Sequence, residues 1–227
     1  MAADSRGTFG DPRGVTAQND TQKKLYVLSK QVGVLAGGAG ELGAQLMRDI
    51  QAAVSERQAV GVTPIMEATR ETAVRRYNDW FPGFAVQPMP GIPVPARPDL
   101  ALIVAGYDLD DQGIPTEQKI YTLISGLAFA PMLHDYGFAL QGVAQYALYL
   151  LNRLYEQERP VKQLEQLAAY VITETASQDG KVGGPVQMVT VLKDQGVQVR
   201  TPTQVRTWVT RTGRLTNAIR RSFYREE

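Results

Sequence analysis

Residues 99–124, DLALIVAGYDLDDQGIPTEQKIYTLI, decide the fold. The run from Asp99 to Tyr107 is almost continuously apolar, which is typical of a strand that is covered on both faces. The turn-rich stretch DLDDQGIPT follows, and Lys119 to Ile124 then reads as the hairpin partner of the first strand. We therefore expect a hairpin whose first strand is buried between layers of structure.

The segments before this hairpin predict a strand pair and two helices. Lys24 to Gly38 reads as two strands joined by a polar turn, and after Gly40 apolar residues recur every four positions along one helix face. Thr63 as N-cap and Pro64 in the first turn predict a second helix, which runs toward Trp80. Six prolines between positions 82 and 98 then indicate an extended surface insertion.

The segments after the hairpin continue the alternation of strands and helices. A short strand is expected at Tyr136 to Leu140, and strands are expected at 186–192 and 197–200. A helix from Gly142 is expected to bury one apolar face, formed by Val143, Ala147, Leu150 or Leu151, and Leu154. A helix from Pro160 to about Asp179 is expected to bury Leu164, Leu167, Ala168, Val171 and Ile172. The last helix begins at Pro202, with Thr201 as N-cap and Gln204 completing a capping box.

This order indicates an α+β protein with antiparallel sheets layered against helices, and not a parallel doubly wound sheet. We interpret residues 1–227 as a single domain that has a Pro-rich insertion at 82–98 and a C-terminal helix from about 202.

Composition excludes several kinds of chemistry. Cysteine is absent, which excludes disulfides, a thiolate nucleophile and Cys-based metal sites. The single histidine, His134, is expected to be solvated or locally hydrogen bonded, since no Gly-x-Ser-x-Gly motif presents a serine for a triad. The Gly37 to Gly40 cluster lacks the Gly-Lys-Ser/Thr of a phosphate loop. We expect no cofactor and no metal.

Charge and hydropathy bear on partners and location. Lys and Arg number 24 against 23 Asp and Glu, so we expect no nucleic acid and no membrane partner. The first ten residues lack the pattern of a signal peptide, and no apolar run reaches the roughly 18 residues of a membrane span. We expect a soluble protein in the cytoplasm.

Five segments in order resemble subunits of the 20S proteasome alpha/beta family, within the N-terminal-nucleophile (Ntn) hydrolase superfamily. Ala3-Asp4-Ser5-Arg6 resembles the ADxR segment that closes the first hairpin of those subunits. The other four are Lys24-Leu25 with Val32 to Gly38, Asp99 to Tyr121, Gly137 to Gln145, and the turn Asp179 to Gly184. The resemblance implies a four-layer αββα sandwich, in which two antiparallel sheets lie between helical layers.

The resemblance also implies a site. In that family the hydroxyl of an N-terminal threonine attacks the scissile carbonyl, and the free amine of the threonine acts as the base. By resemblance, Lys24 lies beside the nucleophile and lowers the pKa of its amine and hydroxyl. Asp4 pairs with Lys24, Asp179 orients the amine, and the backbone N–H of Gly38 is the oxyanion donor.

The sequence departs from the family pattern at its start and at two positions near the family's site. The first strand and the threonine precede the ADxR segment in the family, so we expect the reading frame to continue upstream of Met1, with a threonine about fifteen residues before Asp4. The alternatives are a divergent subunit that never had this strand, and Thr8, which follows a glycine. Val143 and Val182 replace two small polar residues near the family's site.

The resemblance implies a β-type threonine peptidase subunit. Its partners would be a peptide or unfolded protein substrate, and copies of itself or other proteasome-type subunits in a ring. The alternatives are a non-catalytic structural subunit of a proteasome-like particle and an amidohydrolase of the wider superfamily. Retention of Asp4, Lys24 and Asp179 favours the peptidase, since a scaffold does not need this set of charges.

Overall fold

The structure, a computed structural model, describes residues 1–11, 14–82 and 97–224, with side chains other than those of residues 9–16. The described residues form ten strands, five α-helices and a 3₁₀ turn, Ser125–Leu127, which confirms the α+β class. The strands are β1 (Ala2–Ala3), β2 (Gly7–Asp11), β3 (Gly14–Asn19), β4 (Leu25–Ser29), β5 (Val32–Gly38), β6 (Leu100–Leu109), β7 (Pro115–Ile124), β8 (Met132–Leu133), β9 (Gln187–Leu192) and β10 (Gly196–Val199). The helices are α1 (Gly40–Glu56), α2 (Val62–Trp80), α3 (Ala144–Leu154), α4 (Val161–Gln178) and α5 (Pro202–Phe223). Within these ranges, no helix combines the length and the apolar character needed to cross a membrane.

The chain divides into two compact units. The first comprises residues 1–25, 143–190 and 198–227. It contains the β2–β3 hairpin, the helices α3, α4 and α5, and β1, which pairs with β9 through Ala2 opposite Met188. Its small apolar core contains Ala169, Met188 and Val205. Because this core is small, hydrogen bonds and ion pairs between distant segments also hold this unit together.

The second unit comprises residues 26–142 and 191–197. Its five-stranded sheet has the order β4-β5-β6-β7-β8, and the predicted central hairpin forms with Val104 opposite Tyr121. Helices α1 and α2 pack on this sheet and bury a large core, in which Tyr77 lies edge-on to Phe129 with 4.9 Å between ring centroids. On α1, the predicted positions Leu46, Ile50 and Val54 are buried.

The described residues form three sheets, whereas two were expected. The additional sheet is the β2–β3 hairpin, which occupies residues that the sequence analysis left without structure. The strand expected at Tyr136 to Leu140 is wrong, because the short strand in this region is β8, at Met132–Leu133. Most of the Pro-rich insertion predicted at 82–98 lies outside the described residues.

Helix α2 is capped by a side chain from another element. The carboxylate of Asp108 on β6 accepts hydrogen bonds from Thr63 N at 2.8 Å, the Thr63 hydroxyl at 2.7 Å and the Lys119 ammonium at 2.8 Å. The N-cap position falls on Gly61, so the predicted N-cap at Thr63 is wrong. Burial alone would raise the pKa of Asp108, but the bonds from Lys119 and Thr63 outweigh it and lower that pKa.

The buried face predicted for α3 is wrong, and the one predicted for α4 is right only at Val171. No α3 residue is buried by the described part of the chain, and Leu154 is 43% exposed. The buried positions of α4 are Glu165, Ala169, Val171 and Thr175. Glu165 accepts hydrogen bonds from the Thr190 hydroxyl and, at 2.7 Å, from the guanidinium of Arg200. A helix face with polar residues that are satisfied in this way cannot be recognised from apolar spacing.

Candidate active site

Asp4 and Lys24, predicted as partners, form an ion pair in the first unit. The Lys24 ammonium donates to Asp4 Oδ1 at 2.7 Å, and the two side chains are only 18% and 15% exposed. Asp4 Oδ2 accepts from the backbone N–H groups of Arg6 at 3.1 Å and Gly183 at 3.2 Å. Both carboxylate oxygens are therefore occupied, and the lysine is held at one side of a preorganised anion.

Gln187, the first residue of β9, fixes the backbone of Lys24. Its Oε1 accepts from Lys24 N at 3.1 Å and from Leu25 N at 3.3 Å, while its Nε2 donates to Gln22 O at 2.6 Å. The sequence analysis missed this residue. The only local sign of its role in the sequence is a glutamine at the first position of β9, a strand that is otherwise mostly apolar.

A second ion pair locks the ADxR segment against the turn that follows α4. The Arg6 guanidinium binds Asp20 in a bidentate manner, with Nε to Oδ1 at 2.6 Å and Nη2 to Oδ2 at 2.8 Å, and donates to Gly180 O at 3.1 Å. This hydrogen bonding raises the pKa of Arg6 and lowers that of Asp20. A Cβ atom at Gly183 would lie 2.5 Å from the Arg6 Cζ, so a larger residue there would push the guanidinium aside. Sequence reasoning gave no role to Arg6 or Asp20.

Asp179 lies in the same turn, but it performs a local task. Its Oδ1 accepts from Lys181 N at 2.8 Å, and its main-chain oxygen accepts from Val182 N at 3.1 Å. Among the described residues, no hydrogen bond or ion pair joins its carboxylate to Asp4 or Lys24. The structure therefore brings the turn that carries Asp179 to the pair, through Gly183, without a direct contact of the Asp179 side chain.

Gly38 ends β5 in the second unit. Its φ of +101° lies in the region that favours glycine, and an added Cβ would lie 2.1 Å from Asp99 O. Glycine is therefore required here by conformation and by close approach, independently of any role as an oxyanion donor. The rival nucleophile, Thr8, lies within β2 opposite Gln18 and is exposed.

The described residues also bear on two other kinds of site, a histidine-based site and a metal site. His134 Nε2 lies 2.8 Å from the Thr122 hydroxyl, the local hydrogen bond that is one of the two outcomes expected for it. Within residues 1–11, 14–82 and 97–224, no group of three or more His, Asp or Glu side chains is arranged to hold a metal ion. What the Asp4–Lys24 arrangement can do is present a fixed cation, which stabilises negative charge on an oxygen beside it.

Comparison with known proteins identifies the fold. No protein-family model matches the sequence, and no curated protein matches it. Among solved structures, Anbu (ancestral beta-subunit) from Yersinia bercovieri matches with a TM-score of 0.72 and 14% identity, over 100% of this chain and 92% of that one. Anbu from Hyphomicrobium sp. strain MC1 matches with a TM-score of 0.71 and 15% identity, over the same shares of the two chains. An Anbu (Gly-1) mutant from that strain gives a TM-score of 0.68 at 15% identity.

These matches correct the family resemblance drawn from the sequence. The assignment to the 20S proteasome alpha/beta family is wrong, because the matching structures are Anbu proteins, a proteasome-like but distinct group. At 14–15% identity the likeness concerns the fold, and over its whole length this chain has the fold of Anbu.

Proposed function

We propose that this chain is a subunit of a proteasome-like, self-compartmentalised particle, and that it acts there as an Ntn peptidase. The observation that carries the proposal is the Asp4–Lys24 ion pair at 2.7 Å, in a chain with the fold of an ancestral beta-subunit. An ion pair that is largely removed from water and tied by backbone amides is costly to build for stability alone. Its use in electrostatic catalysis accounts for it.

In the proposed reaction, the hydroxyl of the N-terminal threonine expected before Asp4 attacks the carbonyl carbon of a peptide bond. The Lys24 ammonium stabilises the deprotonated form of that hydroxyl, while Asp4 keeps the ammonium in place. The threonine amine accepts the proton and then delivers it to the leaving amine, and Asp179 orients this amine. The N–H of Gly38 donates to the oxyanion, and water then releases the acyl group.

The finer structural predictions belong to the same proposal. They are the four-layer Ntn sandwich as a single domain, a homo-oligomeric ring as the working state, and a cytoplasmic location. An enclosed chamber fits a peptidase that acts on peptides or unfolded chains, because it keeps folded proteins away from the site.

The proposal is tested by separating the native protein by size and assaying each fraction with quenched fluorescent peptides. We expect hydrolysis in the assembled fraction, and no hydrolysis in the same fraction of the Lys24→Ala variant. An assembled wild-type particle that cleaves none of a broad peptide panel would overturn the peptidase proposal. The alternative, a non-catalytic structural subunit, would then explain the assembly.

A further inference from the structure

A short connection in the first unit is held by a side chain. Residues 22–24 lie between β3 and β4 and belong to neither strand. Lys24 N at 3.1 Å and Leu25 N at 3.3 Å donate to Oε1 of Gln187. The Nε2 of the same side chain donates to Gln22 O at 2.6 Å. Because main-chain polar groups that leave water need partners, this one amide does for the connection what a neighbouring strand would do.

The segment that carries Gln187 also holds the partner of Lys24. In the β1–β9 pair, Gln187 lies opposite Ala3, the residue that precedes Asp4. Earlier in the same segment, Gly183 N donates to Asp4 Oδ2 at 3.2 Å. One stretch of chain therefore contacts the main chain on both sides of the ion pair, and it sets how Asp4 and Lys24 lie relative to each other.

The two ends of the Lys24 residue are held by different partners. Asp4 Oδ1 accepts from the ammonium at 2.7 Å, and Gln187 accepts from the main-chain N–H at 3.1 Å. A lysine side chain is a flexible stem of four carbons, so a bond to its ammonium alone leaves the stem several conformations. Fixing the main chain as well leaves fewer of them. The position of the charge therefore depends on Gln187 as well as on Asp4.

We propose that Gln187 is a positioning residue of the candidate active site and acts through Lys24. Its amide fixes the main chain from which the ammonium extends, so that the charge lies where the oxygen of the nucleophile becomes negative. A displacement of about 1 Å can lower a rate about 100-fold, which makes such a support kinetically important. In this role Gln187 contacts neither the nucleophile nor the substrate. The inference rests on the proposed function and adds a residue to its site.

A purely structural role for Gln187 is the alternative that a test must separate. The amide satisfies main-chain groups, so its removal lowers stability whether or not Lys24 acts in catalysis. Gln204 is the matched control in the same unit, since its Oε1 accepts from Thr201 N at 2.8 Å in the capping box of α5. An effect is specific to Gln187 if the same substitution at Gln204 does not reproduce it.

The kinetic test compares Gln187→Met with Gln204→Met, since methionine removes the amide and keeps a side chain of similar length. On the assembled fraction, Gln187→Met should lower kcat by about 10- to 100-fold and leave KM within about twofold, because Lys24 acts on the nucleophile and not on the bound peptide. The acidic limb of the pH profile should move to higher pH, because a displaced ammonium lowers the pKa of the threonine amine less. Gln204→Met should keep the wild-type kcat and pH profile. Equal losses of kcat in the two variants, with unchanged pH profiles, would overturn the proposal.

Amide hydrogen exchange follows the main chain of Lys24 without relying on activity. The Lys24 N–H should exchange at least about tenfold faster in Gln187→Met than in the wild type, whereas Gln204→Met should leave its rate within about twofold. Exchange that stays as slow in Gln187→Met as in the wild type would overturn the proposal, because the main chain of Lys24 would then be held by other contacts.

The outcomes also separate this inference from the proposed function. A wild-type particle that cleaves no peptide overturns the peptidase and, with it, the catalytic role of Gln187. An active particle whose kcat and pH profile are unchanged in folded Gln187→Met overturns this inference alone. If circular dichroism shows that Gln187→Met is unfolded, Gln187→Glu takes its place. Glutamate keeps an acceptor for Lys24 N and loses the donor to Gln22 O, so a smaller fall in kcat is expected, and an unchanged kcat would overturn the proposal.

Discussion

Replacing Lys24 by alanine removes the cation while leaving Asp4 with two hydrogen bonds, from Arg6 N and Gly183 N. At 2.7 Å the gross attraction is about 6 kcal/mol for an effective dielectric constant near 20, and desolvation cancels most of it. Because the amides still hold Asp4, we expect a loss of stability of about 1–3 kcal/mol. For a chain of this size, each kcal/mol lowers the midpoint of thermal unfolding by about 2–4 °C. If Lys24 also acts in catalysis, the same substitution should lower kcat/KM by about 100- to 1000-fold.

Two further variants separate catalysis from stability. Asp4→Asn in the Lys24→Ala background removes the unpaired carboxylate, so thermal stability should recover in part while hydrolysis remains lost. Lys24→Arg should keep part of the stability but not the activity, because guanidinium presents its charge as a planar fork. Lys23→Ala is the matched control, since Lys23 is the exposed neighbour of Lys24.

The measurements are kcat/KM on the assembled fraction, at a temperature where every variant is folded, and the thermal midpoint of each variant. Wild-type rates in folded Lys24→Ala would refute the role of Lys24. A loss of activity in Lys23→Ala with normal rates in Lys24→Ala would place the site one residue away. If activity returns together with stability in the double variant, the ion pair is structural.

Three other substitutions test the local geometry. Asp108→Asn removes the charged cap of α2 and should cost about 1 kcal/mol at neutral pH. Because folding lowers the pKa of Asp108, its contribution to the free energy of unfolding is present above the unfolded-state pKa, which is near 4, and is lost as pH falls through the folded-state pKa. The stabilities of the variant and the wild type should therefore converge in acid. A difference in stability that stays constant with pH would contradict this. Gly183→Ala should displace the Arg6 guanidinium and lower the midpoint of thermal unfolding, and an unchanged midpoint would show that the guanidinium moves freely. Gly38→Ala should lower the free energy of unfolding by about 1–2 kcal/mol or more, which would appear as a lower urea midpoint at an unchanged slope. A midpoint equal to that of the wild type would refute the close contact.

The sequence correctly predicted the helices and strands that are determined by apolar periodicity and by motifs of neighbouring residues. The hairpin of β6 and β7, the β4–β5 pair and α1 follow their apolar periods closely. At α5, Thr201 and Gln204 form the predicted capping box. In each case the decisive interactions join residues within a few positions or within one hairpin, so sequence reasoning can find them.

The misses involve partners that are distant in sequence. The cap of α2 comes from Asp108, 45 residues beyond Thr63, and the clamp on Lys24 comes from Gln187, 163 residues away. The buried face of α4 contains Glu165, whose burial is satisfied by Arg200. No period or local motif encodes such pairs. The Asp4–Lys24 pair was anticipated through a resemblance between whole segments, and its contact is now explicit in the structure.

The clamp between Asp4 and the turn at Gly183 has a consequence for biosynthesis. These residues are 179 positions apart, so the first segment cannot reach its partners until most of the chain has left the ribosome. At about 5–20 residues per second, this interval lasts roughly 9–36 s. During it, β1 has no partner strand, Asp4 lacks the backbone amide of Gly183, and the backbone of Lys24 lacks the side chain of Gln187. The contacts that hold the candidate active site together therefore form only late in the synthesis of the chain.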